Sequence, residues 1–328
     1  MRKIRVAHLG IAHDHSAVTM ECARKYPDVF EVVGVCEPDE ATRAQFGSEP
    51  AYKDIPWLTE EELFSIKDLD AVLCEGHELR SVSDAQKCVD HGLHVHLDKP
   101  GGTSLPAFEH LLRSADEKGL TVQMGYMYRW NPAFRYVYNA VKEGRLGEIT
   151  GVDGSFSVRH TPEKRRWLKQ FPGGMMFYIG CHTIDMIMLL CGTPDSVTPF
   201  NHSSDTDNDG SIDSSFAVLN YPHCACTVRS NATEFNGYAN RRLLVCGTKG
   251  TMDILPLECP TLIRETMLDF ADDASWRDAS RSVFPGFLPG RYDEMMLDFA
   301  AFVRGEKKNP YTTEYELALQ RVLLEACK

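Results

Sequence analysis

The 328-residue chain has no apolar run long enough to cross a bilayer. Its basic start, Met1 to Val6, leads straight into a strand-like segment rather than the apolar stretch of a leader. A cytoplasmic protein without a membrane partner is expected. Positive charge is also scarce: 35 Lys and Arg stand against 47 Asp and Glu, a formal charge of -12. Nucleic-acid binding is driven by clustered cations, so no nucleic acid is expected as a partner. The 11 cysteines contain no C-x-x-C pair, and Cys224 and Cys226 stand too close together for metal-finger spacing. Reduced thiols therefore fit better than a disulfide framework. The chain also lacks any fixed-period repeat or low-complexity tract.

What is present reads as two domains, since 328 residues exceed the roughly 250 to 300 at which single cores divide. Over residues 4–123, short apolar strands alternate with helical patterns, which predicts a parallel sheet with right-handed crossovers. The expected strands are Ile4–Leu9, Phe30–Cys36, Ala71–Cys74, the run up to Leu97, and 121–125. The helix before the fourth carries Val82, Ala85, Cys88 and Val89 on one face and stops at Gly92. From Gly147 onward strands follow one another, near 149–159, 195–201, 213–220, 223–231, 238–246 and 250–255, interrupted by a helix over 177–191. That order predicts an α+β second domain with a large open, mostly antiparallel sheet. The domains are placed at 1–124 and 125–328. Helices over 291–304 and from Thr313 onward have apolar faces suited to packing back on the first domain.

Gly10-Ile11-Ala12-His13-Asp14-His15 occupies the place where a dinucleotide fold carries G-x-G-x-x-G. Only the first glycine remains, with Ala12 and His15 in the other two places. Near-consecutive residues at a helix start rarely aim at one point, so His13, Asp14 and His15 are expected to contact phosphate or cap the helix, and no metal is expected. Glu37 ends the second strand 27 residues after Gly10, where an acid accepts from the adenosine ribose and repels a ribose phosphate. NAD is thus favoured over NADP, with Arg43 close enough to blunt the difference. Glu75, Gly76 and His77 follow the next strand and are further candidates for holding the cofactor.

The chain is organised around Asp98-Lys99-Pro100-Gly101-Gly102, read as a lysine delivered to the carboxyl edge of a parallel sheet, where ligands of open α/β folds bind. The residue before proline is kept out of the helical region and its peptide bond can be cis, so the turn can fix the ammonium's direction. Tyr126 to Pro132 is an aromatic and cationic cluster leaving the next strand. In the helix over 177–191, Tyr178, His182 and Asp185 fall at i, i+4 and i+7. A phenol, an imidazole and a carboxylate on one face form a proton-handling set, with Asp185 orienting His182 or binding a hydroxyl. Arg159, His160, Lys164, Arg165, Arg166 and Trp167 form a basic and aromatic run: Trp167 could stack on a pyranose, or the run could be a solvated loop. Asp205 to Gly210 imitates a calcium loop but has Phe216 where the glutamate belongs, so it is expected to be a polar hairpin connection.

In that order, the Gly10-x-Ala12 turn, Glu37, Asp98-Lys99-Pro100, Tyr128-Arg129-Trp130-Asn131-Pro132 and Gly173-Gly174 through His182-x-x-Asp185 resemble the Gfo/Idh/MocA family. The resemblance covers almost the whole chain. It implies a Rossmann domain followed by an α/β domain whose open sheet mediates a homodimer or homotetramer, and oxidation or reduction of a sugar or polyol with NAD or NADP. The family's E-K-P appears as Asp98-Lys99-Pro100. Its D-x-G-x-H-x-x-D appears as Tyr178-x-Gly180-x-His182-x-x-Asp185, so a tyrosine, neutral near pH 7, replaces the first carboxylate. The catalytic set implied is Lys99, His182, Asp185 and Tyr178. The cofactor set is Gly10, Ile11, Ala12, His13, Glu37, Glu75, Gly76, His77, Asp98, Lys99 and Arg129. Tyr128, Asn131, His160, Trp167, Tyr178, His182 and Asp185 would line the substrate. Removing a proton from an alcohol while a hydride leaves its carbon needs a base and a nearby cation. His182 and Lys99 are assigned these roles, which could be reversed. Two alternatives are a redox-neutral glycoside-cleaving enzyme with retained NAD and a non-catalytic NAD-binding sensor.

Overall fold

The computed structural model describes residues 2–258, 261–270, 278–287 and 290–328. Two compact units divide the chain, Met1–Met127 with Gly290–Leu317, and Tyr128–Pro289 with Ala318–Lys328.

The first unit is a parallel six-stranded sheet. Its elements in order are β1 (Ile4–Leu9), α1 (Ser16–Lys25), β2 (Phe30–Cys36), α2 (Glu40–Phe46), β3 (Trp57–Leu58), α3 (Glu60–Phe64), β4 (Ala71–Cys74), α4 (Ser81–Asp90), β5 (His94–Leu97), α5 (Leu105–Glu117) and β6 (Val122–Met124). The spatial order β3-β2-β1-β4-β5-β6 reverses between β1 and β4, which opens a crevice at their carboxyl ends. β1, β4 and β5 are almost wholly buried, as a sheet covered on both faces requires, and His8 and His96 are the buried polar residues among them. Gly10, at φ +81°, and Gly76 line the crevice. A Cβ on Gly10 would stand 2.3 Å from the Gly76 Cα, so no other residue fits there.

Beneath the crevice lies His8 of β1, fully buried, with Nε2 3.2 Å from the Ser16 hydroxyl, itself 2.6 Å from the Tyr52 hydroxyl. Burial, reinforced by the neighbouring His96, pushes its pKa down from 6.5 to about 3. A histidine depressed in the folded state contributes stability above its unfolded pKa and loses it as pH falls. Denaturant unfolding at pH 5 should therefore show about 2 kcal/mol less stability from this group than at pH 7, a loss absent in His8→Gln. Parallel pH slopes for the two proteins would rule this out.

The second unit contains α6 (Pro132–Lys142), β7 (Ile149–Ser155), α7 (Pro162–Leu168), a π turn (Met176–Gly180), α8 (Cys181–Cys191), β8 (Ser196–His202), β9 (Ser214–Asn220), β10 (Ala225–Asn231), β11 (Arg242–Gly247), β12 (Gly250–Ile254), β13 (Ile263–Met267) and β14 (Arg281–Val283). Its sheet runs β14-β13-β12-β11-β7-β10-β9-β8, and among the described residues only β7 and β10 pair in parallel. The mostly antiparallel expectation holds, with two strands more than the sequence revealed. In β9 buried residues alternate with half-buried ones, and α8 packs over β7 and β10. The 205–210 segment connects antiparallel β8 and β9, and Asp207 there accepts both Nε and Nη2 of Arg165, at 2.5 and 2.6 Å.

Two helices follow, α9 (Asp293–Val303) and α10 (Thr313–Ala326). Within the first unit, α9 packs on α1, and Asp293 accepts from the Tyr26 hydroxyl at 2.8 Å and pairs with Lys25.

Candidate active site

In the first unit, the polar set gathers at the carboxyl ends of β1, β2, β4 and β5. Glu37, at the end of β2, accepts from the Ile11 and Asp39 backbone N–H groups at 2.8 and 2.9 Å. Its side chain is 1% exposed, and Arg80 Nη2 lies 3.7 Å away. No side chain caps α1, whose N-cap residue is His15. An acid at the end of β2, a glycine forced by backbone contact, and a helix start without a side-chain cap fit a dinucleotide at its ribose and phosphate ends. The departure is His15, a full side chain where the pattern has glycine.

Asp98 and Lys99 follow β5 directly, and both are buried. Asp98 Oδ1 accepts from the Lys99 backbone N–H at 2.6 Å, and the Lys99-Pro100 peptide is cis. Gly125 approaches so closely that a Cβ there would stand 2.8 Å from Asp98 Oδ1. The other carboxylate oxygen receives two imidazoles. His15 Nδ1 lies 2.9 Å and His13 Nδ1 3.1 Å from Asp98 Oδ2. The premise behind expecting phosphate contact or capping from His13, Asp14 and His15, that such residues rarely aim at one point, is corrected for two of them: the turn ahead of α1 folds the His13 and His15 rings onto one oxygen. Burial lowers His15 to about 4, against the pull of Asp98. Burial alone would raise Asp98, but the two imidazoles hold it well below the usual range, while burial and the Asp98 charge push Glu75 well up.

Of the other expected cofactor residues, Gly76 packs against Gly10, and Ile11 lies buried in the core. Ala12 is half-buried, and the part-exposed His77 accepts from the Leu79 N–H at 3.2 Å. Glu75 is wholly buried, with Glu78 beside it, a residue that sequence reading missed. A carboxylate three residues after a strand-end carboxylate was the available signal. A cleft of about 610 Å³ in the same unit is lined by Leu112, Asp116, Lys307 and Glu314 and contains none of these groups.

In the second unit, α8 presents His182 and Asp185, both buried. Asp185 is held by Arg129 through a fork, Nε to Oδ2 at 3.0 Å and Nη2 to Oδ1 at 2.8 Å, with both side chains at most 1% exposed. Arg129 was expected at the cofactor and Asp185 at the imidazole or a hydroxyl; the structure engages them with each other. The His182 ring meets Tyr128 edge-on at 5.0 Å and lies 6.1 Å from Phe156. Tyr128 is tied to a buried network that sequence reading missed: its hydroxyl donates to Glu258 Oε1, Arg241 Nη1 reaches both at 2.9 and 2.6 Å, and the Tyr238 hydroxyl donates to Glu258 Oε2 at 3.0 Å.

Three expected substrate residues also have structural partners. Asn131 caps α6, accepting from Ala133 and Phe134 N–H groups and donating to the Leu257 carbonyl at 3.0 Å, so its polar atoms are committed to structure. Tyr178 stands on the π turn, whose wider i→i+5 spacing shifts it from the face an unbroken helix would give. Its ring lies against Trp167 at 5.3 Å, Phe171 at 6.4 Å and His160 at 6.2 Å. Trp167 belongs to helix α7 rather than a loop, and Lys164 Nζ covers one ring face at 3.7 Å. The contiguous polar stripe expected on one helical face is therefore two groups, His182 with Tyr128, and Tyr178 with Trp167.

Residues 4–126 match the model of an oxidoreductase family with an NAD-binding Rossmann fold, and 134–253 match the GFO/IDH/MocA C-terminal domain. A scyllo-inositol 2-dehydrogenase (NADP+) of Bacillus subtilis is 31% identical over 137 residues, 41% of this chain and 38% of that enzyme. A D-xylose 1-dehydrogenase (NADP+) of Haloferax volcanii is 26% identical over 194 residues, 58% of each chain. The first match thus spans well under half of the relative's length. Among solved structures, an aldose-aldose oxidoreductase from Caulobacter crescentus with bound glycerol superposes with a TM-score of 0.82, at 16% identity, over 99% of this chain and 98% of its own. At that identity the likeness concerns the fold. Among the described residues, no helix is long and apolar enough to cross a membrane.

Proposed function

Because the chain belongs to the Gfo/Idh/MocA oxidoreductase family, we propose that it moves a hydride between a hydroxyl-bearing carbon of a sugar, sugar derivative or polyol and a nicotinamide dinucleotide, NAD before NADP. The observation that carries this reading is Lys99, a buried lysine at the carboxyl end of β5, beside the strand-order reversal where Gly10 meets Gly76. The names of the inositol and xylose dehydrogenases support the substrate class.

The dinucleotide, when bound, supplies the hydride acceptor or donor. Glu37 would hold the adenosine ribose, and the 10–15 turn with the start of α1 would face the phosphates. His182 takes the hydroxyl proton during oxidation, being the side chain whose ordinary pKa lies nearest neutrality. Lys99 supplies a cation able to stabilise a developing alkoxide. Arg129, locked on Asp185, fixes that carboxylate and the part of α8 that carries His182. Tyr178, in place of the family's aspartate, offers a neutral hydroxyl, so hydroxyl recognition differs from that of relatives with a carboxylate there. The half-buried outer face of the second unit's sheet is assigned to a homo-oligomer contact.

The test is a panel of sugars, polyols and their keto forms with NAD and NADP, followed by nicotinamide absorbance. Reduction of NAD by at least one hydroxyl compound, more efficient than reduction of NADP, is expected. No change with any compound would sink the proposal, and cleavage of a glycoside without net NADH would replace it with a redox-neutral reaction.

A further inference from the structure

We propose that His13, His15 and Asp98 form a binding site for one divalent transition ion of the zinc class, at the carboxyl ends of β1 and β5. The inference rests on the first unit's geometry alone and stands apart from the oxidoreductase reading.

One ligand atom from each of the three side chains lies within 4.8 Å of the others. The two measured edges, 2.9 and 3.1 Å to Asp98 Oδ2, resemble the spacing of ligands on one ion. Atoms about 2.0 to 2.1 Å from a tetrahedral centre stand roughly 3.3 Å apart. Two imidazoles and a carboxylate are a donor set that suits zinc and its neighbours better than magnesium or calcium. Three protein ligands leave a position for water or a ligand oxygen, the pattern of reactive rather than purely structural sites.

The hydrogen bonds leave room for a cation. The His15 backbone N–H stands at a long 3.2 Å from His13 Nδ1, and Asp98 Oδ2 lies 3.1 Å from the same atom. Nδ1 has one lone pair or one proton to offer and cannot serve both neighbours; an ion between ring and carboxylate would take that lone pair together with one from Asp98, and the long contact from the His15 N–H would give way. Around this point stand two further carboxylates, Glu75 at 0% and Glu78 at 2% exposure, whose oxygens have no hydrogen-bond partner within 3.5 Å among the described residues. Glu75 Oε2 is 3.9 Å from His13 Nδ1 and faces the same space. Glu78 Oε1 is 3.5 Å from His13 Nε2, where an outer carboxylate orients a metal-bound imidazole. His96 does not relieve Glu75: its Nδ1 meets Gln123 Oε1 at 2.9 Å, which places the proton there and leaves Nε2 a lone pair toward Glu75 Oε1, 3.6 Å away. Buried acids this close need positive charge or a shared proton; Lys99 supplies one charge nearby, and an ion would supply the rest. The two convergent rings favour the cation. His15, 19% exposed, leaves a way in.

The experiment titrates the chelator-treated full-length protein with Zn2+ by calorimetry and with Co2+ by visible spectroscopy. Saturation at one ion per chain is expected, with a cobalt spectrum of nitrogen and oxygen ligation and no thiolate band. His15→Asn should weaken the ion by more than about 100-fold, and Glu78→Gln by roughly 10- to 100-fold as an outer-shell change. Because His15 is partly exposed, its variant should stay folded, which circular dichroism checks. No saturable ion, unchanged affinity in folded His15→Asn, or a thiolate spectrum would overturn the assignment and leave a proton shared among the acids. Dinucleotide binding, followed separately by NADH fluorescence, keeps failure of the metal site distinct from failure of the oxidoreductase reading.

Discussion

Lys99→Met is expected to reduce kcat/KM for substrate-dependent NADH formation by about 10²- to 10³-fold while NADH still binds within a few-fold of its ordinary strength. Loss of one preorganised group facing a developing oxyanion typically costs that much, since it acts in the transition state and little in the ground state. Methionine retains the length and apolar body of the side chain, so packing among the buried neighbours of Lys99, which is 2% exposed, is conserved and the change isolates the charge. A variant within threefold of the parent would remove Lys99 from the chemistry. A variant that loses dinucleotide affinity in proportion to activity would move it to cofactor binding.

The second large effect concerns stability. Asp185→Leu leaves the Arg129 guanidinium buried opposite an apolar side chain, with its forked partner gone. Uncompensated buried charge of this kind costs about 3 to 5 kcal/mol. In a unit of this size that translates into a fall in Tm of roughly 6 to 20 °C. Arg129→Met combined with Asp185→Leu removes both charges and should recover most of the loss, because a buried pair is worth little over well-packed apolar groups. Calorimetric melting of the single and double variants decides the matter. Equal Tm values for Asp185→Leu and the parent would mean that water reaches the guanidinium.

The parallel sheet was readable because β1, β4 and β5 are short, mostly apolar segments, β4 without a break and β1 and β5 interrupted only by Arg5, His8, His94 and His96, and each is followed by a turn signal. The lysine turn was readable because Asp98-Lys99-Pro100 ends such a run. The cap at Asn131 was legible in principle, since an asparagine ahead of a proline at a helix start is a capping signature, yet the aromatic residues before it suggested a sugar contact instead. The same holds for Thr161-Pro162 at the start of α7, whose charges read as a loop. The pairing of Arg129 with Asp185 was beyond reach, because 56 residues separate partners that only tertiary packing joins. The π turn was hidden for a different reason: periodicity assumes a constant angle per residue, and one inserted residue between Tyr178 and His182 breaks the assumption without changing any residue type. At His13 and His15, the helix geometry applied to them does not begin until Ser16.

The single parallel pairing in the second sheet has a bearing on how the chain is made. β7 sits between β10 and β11, and its nearest partner in register is 74 residues downstream, Asp153 opposite Thr227. During synthesis the strand emerges long before either neighbour exists, so its edges stay open while β8 and β9 can already zip together as a local hairpin. A late insertion step, rather than growth from one end, is expected to set the maturation of this unit, and chaperone demand should fall on ribosome-bound chains that end before β11.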